Sequence, residues 1–164
     1  AASTIAQRLD ALRQHTVDPS SAVAYVQRIR DLGQLYGIDV TAGASLPTQV
    51  SAIEQVAADT HRLNVLEQCT VGITSSGPVI TRVCELEQRY GIDGARESLS
   101  TRVSAIEQVA ADIAERLNVL ERTTVGVTSS GSYTTRICEL EKFYGRATGK
   151  PLPTRVGAME VLCG

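Results

Sequence analysis

The sequence has few aromatic residues and almost no net charge. Its 164 residues include no tryptophan, one phenylalanine and five tyrosines. The core must therefore be built from aliphatic side chains, which is typical of helical bundles and coiled coils. The net charge of −2 gives no general electrostatic attraction to nucleic acid or to anionic lipid. We therefore expect no nucleic-acid partner.

The usual motifs of catalysis and of membrane insertion are also missing. No apolar run approaches the roughly 20 residues that a membrane-spanning helix needs. The chain lacks a Gly-x-Ser-x-Gly nucleophile motif and a Gly-x-x-x-x-Gly-Lys phosphate-binding loop. His15 and His61 have no companion residue at metal-ligand spacing. We expect no transmembrane segment, no enzyme activity, no metal and no cofactor.

The chain instead repeats one six-residue motif, which consists of Arg (once Gln), an apolar residue, two variable residues, an apolar residue and usually Glu. The motif occurs nine times, beginning at Arg8, Arg28, Gln49, Arg62, Arg82, Arg102, Arg116, Arg136 and Arg155. Three motifs make a larger period of about 53 residues, which the spacing of Leu46, Leu99 and Leu152 also follows. Such self-similarity is typical of stacked helical repeats.

The period predicts an all-α protein of tandem αα-hairpin repeats, each of about 53 residues with one long and one short helix, in a helical bundle or short solenoid. We expect a single all-helical domain over 1–164, with full repeats at 46–98 and 99–151. A partial repeat at 1–45 and the start of a further one at 152–164 complete this division. Because the repeats are not closed at their ends, we expect that other protein subunits cover them, with a chain that is part of a longer repeat protein as the alternative.

The clearest helix is predicted at 98–123, where apolar residues alternate in steps of four and three over three heptads. Shorter helices are predicted at 20–36, 78–90 and 132–144, and with the remaining long segments we expect about seven helices in all. Each short helix is followed by a glycine suited to a left-handed C-terminal cap, at Gly37, Gly91 and Gly145. The first long helix lacks one residue near His61, which predicts a kink, a tightened turn or a changed partner there.

The Arg and the Glu of each motif flank its apolar pair on a helix. Charges at such positions pair across neighbouring helices, and exposed pairs contribute only about 0.2–1 kcal/mol each. We therefore expect them to select register and partner rather than to supply stability. The candidate interaction residues are Arg82, Glu87, Arg102, Glu107, Arg116, Glu121, Arg136 and Glu141. An anion-binding ladder of arginines is the alternative, although the glutamates would neutralise most of it.

The four cysteines do not form a zinc-binding pattern. Cys84 and Cys138 share one motif position in successive repeats, and no cysteine has a local Cys or His companion. We favour small thiols that fill half-buried helix positions. A disulfide between Cys69 and Cys84 across one hairpin is the alternative for an oxidising compartment.

A second repeated feature is the loop that ends in Thr-Ser-Ser-Gly, at 70–77 and again at 124–131. Its simplest role is a tight turn that caps the following helix, with its Val and Ile residues packed back onto the helices. The alternative is an anion site formed by backbone amides at a helix start. The candidate loop site comprises Thr74, Ser75, Ser76, Thr128, Ser129 and Ser130.

These features predict a non-catalytic structural subunit that bridges or spaces proteins in a larger assembly through apolar helix faces flanked by Arg and Glu. The alternative is a small-ligand or anion-binding module that uses the Thr-Ser-Ser-Gly loops. Repetition favours the first, because catalysis needs a single convergence of unlike groups. The chain opens Ala-Ala-Ser-Thr without Met. An intracellular protein is favoured, with a processed organellar precursor, such as a chloroplast one, as the alternative.

The heptad pattern makes one testable prediction about the long helix at 98–123. Replacing both Ile106 and Leu117 with Asp places two charges on its apolar stripe, which costs several kcal/mol, so the helix and any assembly should be lost. Circular dichroism during thermal unfolding measures this. A melting curve like that of the wild type would contradict the packing scheme.

Overall fold

The computed structural model describes residues 7–9, 25–36, 45–94, 96–145 and 149–163. These residues form helices joined by short loops, and no strand occurs among them. The all-α prediction is confirmed at this level. Six helices have defined bounds: α1 (Tyr25–Tyr36), α2 (Leu46–Val71), α3 (Val79–Tyr90), α4 (Leu99–Val125), α5 (Tyr133–Phe143) and α6 (Leu152–Cys163). Residues 7–9 are also helical.

The short helices and α4 begin and end close to the predicted positions, for identifiable local reasons. Ser98 and Ser132 are the N-caps of α4 and α5, and each hydroxyl accepts a hydrogen bond from the backbone N–H three residues later. Pro78 is the N-cap of α3 and offers no such side-chain bond. Gly91 and Gly145 have φ of +69° and +66°, as predicted. Gly37 and residues 20–24 lie outside the described residues.

The long helices show one feature that the sequence analysis missed. Both end at a glycine with positive φ, Gly72 at +82° and Gly126 at +81°. Helix α2 has 26 residues and α4 has 27, which matches the residue missing near His61. Because α2 continues as α-helix through His61, the predicted tightened turn is absent there. The kink stays a prediction.

The chain divides into two compact units, 1–60 and 61–164, and the boundary falls within α2. In the first unit, a small core joins Leu9 to residues of α1 and α2, namely Ile29, Leu32, Val50 and Ile53. In the second unit, α4 packs against α3, α5 and α6 around one continuous core. The predicted division into repeats at 45/46, 98/99 and 151/152 stays a prediction.

The buried apolar side chains are almost all the two apolar residues of the motif. The exceptions among the described residues are Tyr90, Ala110, Ile113 and Leu152. Ile106 and Leu117 are both fully buried, and burying an aliphatic side chain of this size contributes about 1.5–3 kcal/mol. The motif therefore supplies the core as well as the charges beside it. No helix among the described residues has the length and hydropathy needed to cross a bilayer.

Candidate functional site

The motif arginine and glutamate form one recurring contact between helices. In the pair Arg82–Glu67, Nε donates to Oε1 at 2.9 Å and Nη2 donates to Oε2 at 2.7 Å. This two-point geometry is stronger and more directional than a single hydrogen bond. It recurs in Arg8–Glu54, Arg62–Glu107, Arg102–Glu87, Arg116–Glu160, Arg136–Glu121 and Arg155–Glu141. The predicted pairing across helices is therefore present in the structure.

The same arginines use a second acceptor that the sequence analysis missed. In six of these pairs, Nη2 also donates to the third residue of the partner motif. These acceptors are Ser51, Asn64, Cys84, Ser104, Asn118 and Cys138. The signal in the sequence is that this variable position is always Asn, Ser or Cys where the contact forms. The third position of the motif, which varies in the sequence, thus takes part in the contact between two motifs.

Two of the four cysteines, Cys84 and Cys138, take part in this contact. Arg102 Nη2 lies 3.1 Å from Cys84 Sγ, and Arg155 Nη2 lies 3.5 Å from Cys138 Sγ. All four cysteines are free thiols, so the Cys69–Cys84 disulfide is not formed. Cys69 and Cys84 are exposed, and for these two the expectation of half-buried positions was wrong.

Within residues 61–164 the pairs close into rings of three motifs. In the first ring, the motif at 82 binds the motif at 62, the motif at 102 binds the motif at 82, and the motif at 62 binds the motif at 102. Its pairs are Arg82–Glu67, Arg102–Glu87 and Arg62–Glu107. The second ring joins the motifs at 116, 136 and 155 in the same order, through Arg136–Glu121, Arg155–Glu141 and Arg116–Glu160. Each of these motifs gives its arginine to one neighbour and its glutamate to the other.

Each ring contains two buried pairs and one half-exposed pair. The side chains of Arg82 and Glu67 are 5% and 6% exposed, whereas those of Arg62 and Glu107, which close the first ring, are 30% and 39% exposed. The second ring repeats this difference. The expectation that the motif charges are exposed is thus wrong for most of the candidate interaction residues, namely Arg82, Glu87, Arg102, Glu121, Arg136 and Glu141. Glu107 and Arg116 lie in the ring-closing pairs.

Burial of these charges depends on the loops that fold over them. The backbone N–H of Ser75 donates to Glu67 Oε2 at 2.9 Å, and that of Ser129 donates to Glu121 Oε2 at the same distance. At Gly94, a methyl group would overlap Glu87 Oε1, so the backbone there lies directly against a buried pair. Among the described residues, no buried side-chain polar atom lacks a hydrogen-bond partner. Full satisfaction offsets the cost of removing the charges from water.

The ion pairs lower the pKa of several motif carboxyls. Hydrogen bonds from Arg8, Arg62 and Arg116 hold the pKa of their partner glutamates, Glu54, Glu107 and Glu160, below the ordinary value, and this outweighs burial. Burial raises the pKa of Glu121, but the hydrogen bonds from Arg136 and from the Ser129 amide outweigh it, so that the net shift is downward. These carboxyls are anionic in the folded protein at neutral pH.

The Thr-Ser-Ser-Gly loops lie on the surface, beside the buried pairs. Thr74, Ser75, Ser76, Thr128, Ser129 and Ser130 are all exposed. The Ser75 and Ser129 hydroxyls accept hydrogen bonds from the N–H of Gly77 and Gly131, as in a tight turn. Because the chain's own glutamates already bind the Ser75 and Ser129 amides, those two donors are engaged internally. In each loop, the glutamate carboxylate occupies the position in which an anion would bind to the amide.

Three apolar residues of these loops do not pack back onto the helices. Ile73 and Val127 are each 70% exposed and Val125 is 58% exposed, so the predicted packing was wrong for these three, whereas Val71 is half-buried. Beside the second loop lies a groove of about 300 Å³, lined in part by Val127, Thr128, Ser129 and Phe143. It is at the small end of the volumes that bind small molecules.

Neither metal chemistry nor similarity to known proteins identifies a further site. His61 is exposed, and His15 lies outside the described residues. Across the described ranges, no group of three or more His, Cys, Asp and Glu side chains is placed to hold a metal ion. No protein-family model, curated protein or solved structure matches the chain.

The difference in burial within the rings predicts unequal effects of equivalent substitutions. Glu121→Gln removes the charge that compensates buried Arg136, so the free energy of unfolding should fall by about 3 kcal/mol. The matched control Glu107→Gln, at the same motif position in a half-exposed pair, should cost less than about 1 kcal/mol. Urea titration of both variants measures this. Equal losses in the free energy of unfolding would contradict the conclusion that the buried pairs stabilise the fold more than the half-exposed pairs do.

The lowered carboxyl pKa values predict acid sensitivity. A carboxyl whose folded pKa is depressed stabilises the protein fully above its unfolded pKa of about 4.3, and this stability is lost as pH falls through the folded pKa. The free energy of unfolding should thus be nearly constant from about pH 7 to 5 and then decrease on further acidification. Urea titrations at each pH test this, and Glu107→Gln with Glu160→Gln should show a shallower decrease. Higher stability at pH 3 than at pH 5 would rule it out.

Proposed function

We propose that the protein is a non-catalytic scaffold subunit, built from tandem helical repeats, that bridges or spaces other proteins in a larger assembly. The observation that carries this proposal is the use of nearly identical side-chain contacts in both rings. Every described Arg–Glu pair joins two segments of this chain, so the motif charges hold the chain's own helices together. Catalysis would instead need unlike groups converging once.

In this proposal each repeat of about 53 residues contains as many helical residues as one long and one short helix. The support is that the contacts of the first ring recur 54 residues later in the second, for example Arg82–Glu67 and Arg136–Glu121. Because the motifs at 102 and 116 belong to different rings, we draw the boundary of the repeating unit inside α4 rather than at Leu99. Each unit then comprises three helical segments closed by one ring.

Partner recognition in this proposal falls to residues other than the motif charges and the buried apolar pair of each motif. In the pairs that the structure describes, the motif charges bind one another, so they select the chain's own helices. Exposed apolar side chains remain for partners, among them Val65, Val119 and Phe143, which are 52%, 57% and 65% exposed. In this proposal these side chains contribute apolar contacts to a partner protein.

A small-ligand or anion-binding module that uses the Thr-Ser-Ser-Gly loops is the second candidate. The groove beside Thr128 and Ser129 favours it. The engagement of the Ser129 amide by Glu121 weighs against an anion there, because a second negative charge would be repelled. In this second candidate the ligand is therefore uncharged, and it binds the loop hydroxyls.

Native mass spectrometry of the chain isolated gently from its source tests the two functions against each other. A scaffold subunit should appear in a complex of fixed stoichiometry with other proteins, and Ser129→Ala with Ser130→Ala should leave that complex intact. The equivalent pair Ser75→Ala with Ser76→Ala is the matched control. A monomer that carries a small molecule, and loses it in the Ser129 and Ser130 variant, would overturn the scaffold proposal.

A further inference from the structure

The compact unit of residues 1–60, here called the N-terminal unit, repeats the ring-closing contact of the two rings. Arg8 Nε donates to Glu54 Oε1 at 2.8 Å, and Arg8 Nη2 donates to Ser51 Oγ at 2.9 Å. The motif at 62 makes the same two contacts with the motif at 102. The side chains of Arg8 and Glu54 are 23% and 35% exposed, so this pair is half-exposed like the closing pair of the first ring. The motif at 8 is thus related to the motif at 49 as the motif at 62 is to the motif at 102.

The core of the N-terminal unit also follows the positions of a ring. Its described members are the apolar residues of the motifs at 8, 28 and 49, namely Leu9, Ile29, Leu32, Val50 and Ile53. The same positions of the motifs at 62, 82 and 102 are buried in the first ring, as Leu63, Val83, Leu86, Val103 and Ile106. The three motifs of the N-terminal unit therefore meet through the same apolar positions as the three motifs of a ring.

One buried ion pair of a ring lacks both of its charges in the N-terminal unit. In the other rings this pair is Arg102–Glu87 or Arg155–Glu141. The motif at 49 begins with Gln49 instead of arginine, and the motif at 28 ends with Gly33 instead of glutamate. Gln49 is half-buried in α2 and Gly33 is buried in α1, as expected for the two positions of such a pair.

The other buried pair is excluded by the sequence alone. In the two rings it is Arg82–Glu67 or Arg136–Glu121. The corresponding residues of the N-terminal unit are Arg28 and Arg13, and two arginines cannot form an ion pair. The half-exposed pair Arg8–Glu54 is thus the one Arg–Glu pair that the ring positions of this unit permit.

We infer that the N-terminal unit is a third ring that lacks its buried ion pairs, and that it opens by itself while the other two rings stay closed. Its aliphatic core drives the helices together, but no Arg–Glu pair at its buried ring positions restricts them to one arrangement. Gly33 weakens α1 further, because glycine loses more backbone freedom on folding than any other residue. Proteins open in such cooperative units, beginning with the one that has the fewest stabilising contacts.

Opening of the N-terminal unit exposes apolar residues of its motifs, such as Ile29 and Ile53, which are buried in the closed protein. The chain thus contains one ring that can present its core and two rings that keep theirs hidden. This goes beyond the proposed function, because it is a conformational change within the chain and needs no partner.

Hydrogen exchange of the full chain, measured by mass spectrometry, tests the inference. After correction for intrinsic exchange rates, the amides of α1 and of residues 50–58 should exchange at least about tenfold faster than those of α3 and of residues 103–111, which hold the equivalent positions in the first ring. The amides of α5, in the second ring, should be protected like those of α3. Equal protection of α1 and α3 would overturn the inference.

Restoring the absent charges tests the ring arrangement. Gly33→Glu with Gln49→Arg gives these positions the residues found at 87 and 102, so α1 should exchange more slowly than in the wild type. Exchange should also be at least about tenfold slower than in either single variant, each of which holds one charge without its partner. The matched control Gly33→Glu with Thr48→Arg has the same charges, but the arginine is turned by about 100° to an exposed position of α2, so α1 should exchange as in Gly33→Glu alone. Equal exchange in the two double variants would contradict the third ring.

Should the restored variant fail to fold, the reverse exchange is made in the first ring. Glu87→Gly with Arg102→Gln gives this ring the residues of the N-terminal unit, so the amides of α3 should exchange at least about tenfold faster than in the wild type, with a smaller change in α5. Unchanged protection of α3 would refute the inference. Neither result bears on binding to other proteins, so the inference can fail while the scaffold function stands.

Discussion

The two-point contact between a motif arginine and a motif glutamate is the interaction on which the arrangement of helices depends. Apolar pairs such as Val83 and Leu86 drive burial, but they are nearly interchangeable in shape from one motif to the next, and an aliphatic core tolerates many registers. A buried charge does not, because an arginine left without its carboxylate costs several kcal/mol. Burial of the hydrophobic residues thus provides the free energy of folding, and the ion pairs restrict the helices to one arrangement. Polar groups in coiled coils fix register in the same way.

Much of the local structure could be predicted from the sequence, because it depends on local signals. The heptad spacing identified α4, and the glycines after Tyr90 and Tyr144 identified the ends of two short helices. The apolar motif positions, such as Val103 and Ile106, were correctly assigned to a core. The loop at 70–77 was expected to cap α3, but the N-cap is Pro78, which forms no side-chain cap hydrogen bond.

The burial of the charges could not be predicted, because it depends on parts of the chain that approach only after folding. Glu67 and Arg82 are covered when the Ser75 amide folds back, and Glu87 is covered by the backbone at Gly94, where no side chain intervenes. Which glutamate each arginine binds could not be predicted either, since Arg62 binds a glutamate 45 residues away whereas Arg82 binds one 15 residues away. The role of the third motif position, as at Asn64 and Cys84, emerges only when the partner motif is known.

Helix α4 carries the motif at 102 into one ring and the motif at 116 into the next, two heptads further on. A genetic duplication that begins and ends inside such a helix joins helix to helix at its junction, and it needs no new linker. Each residue added or lost at a junction turns all later side chains by about 100°, yet α2, which is one residue shorter than α4, still forms ion pairs with both of its motifs. A protein of this kind can therefore grow in length through evolution by whole periods, and the pairing tolerates a difference of one residue within a long helix.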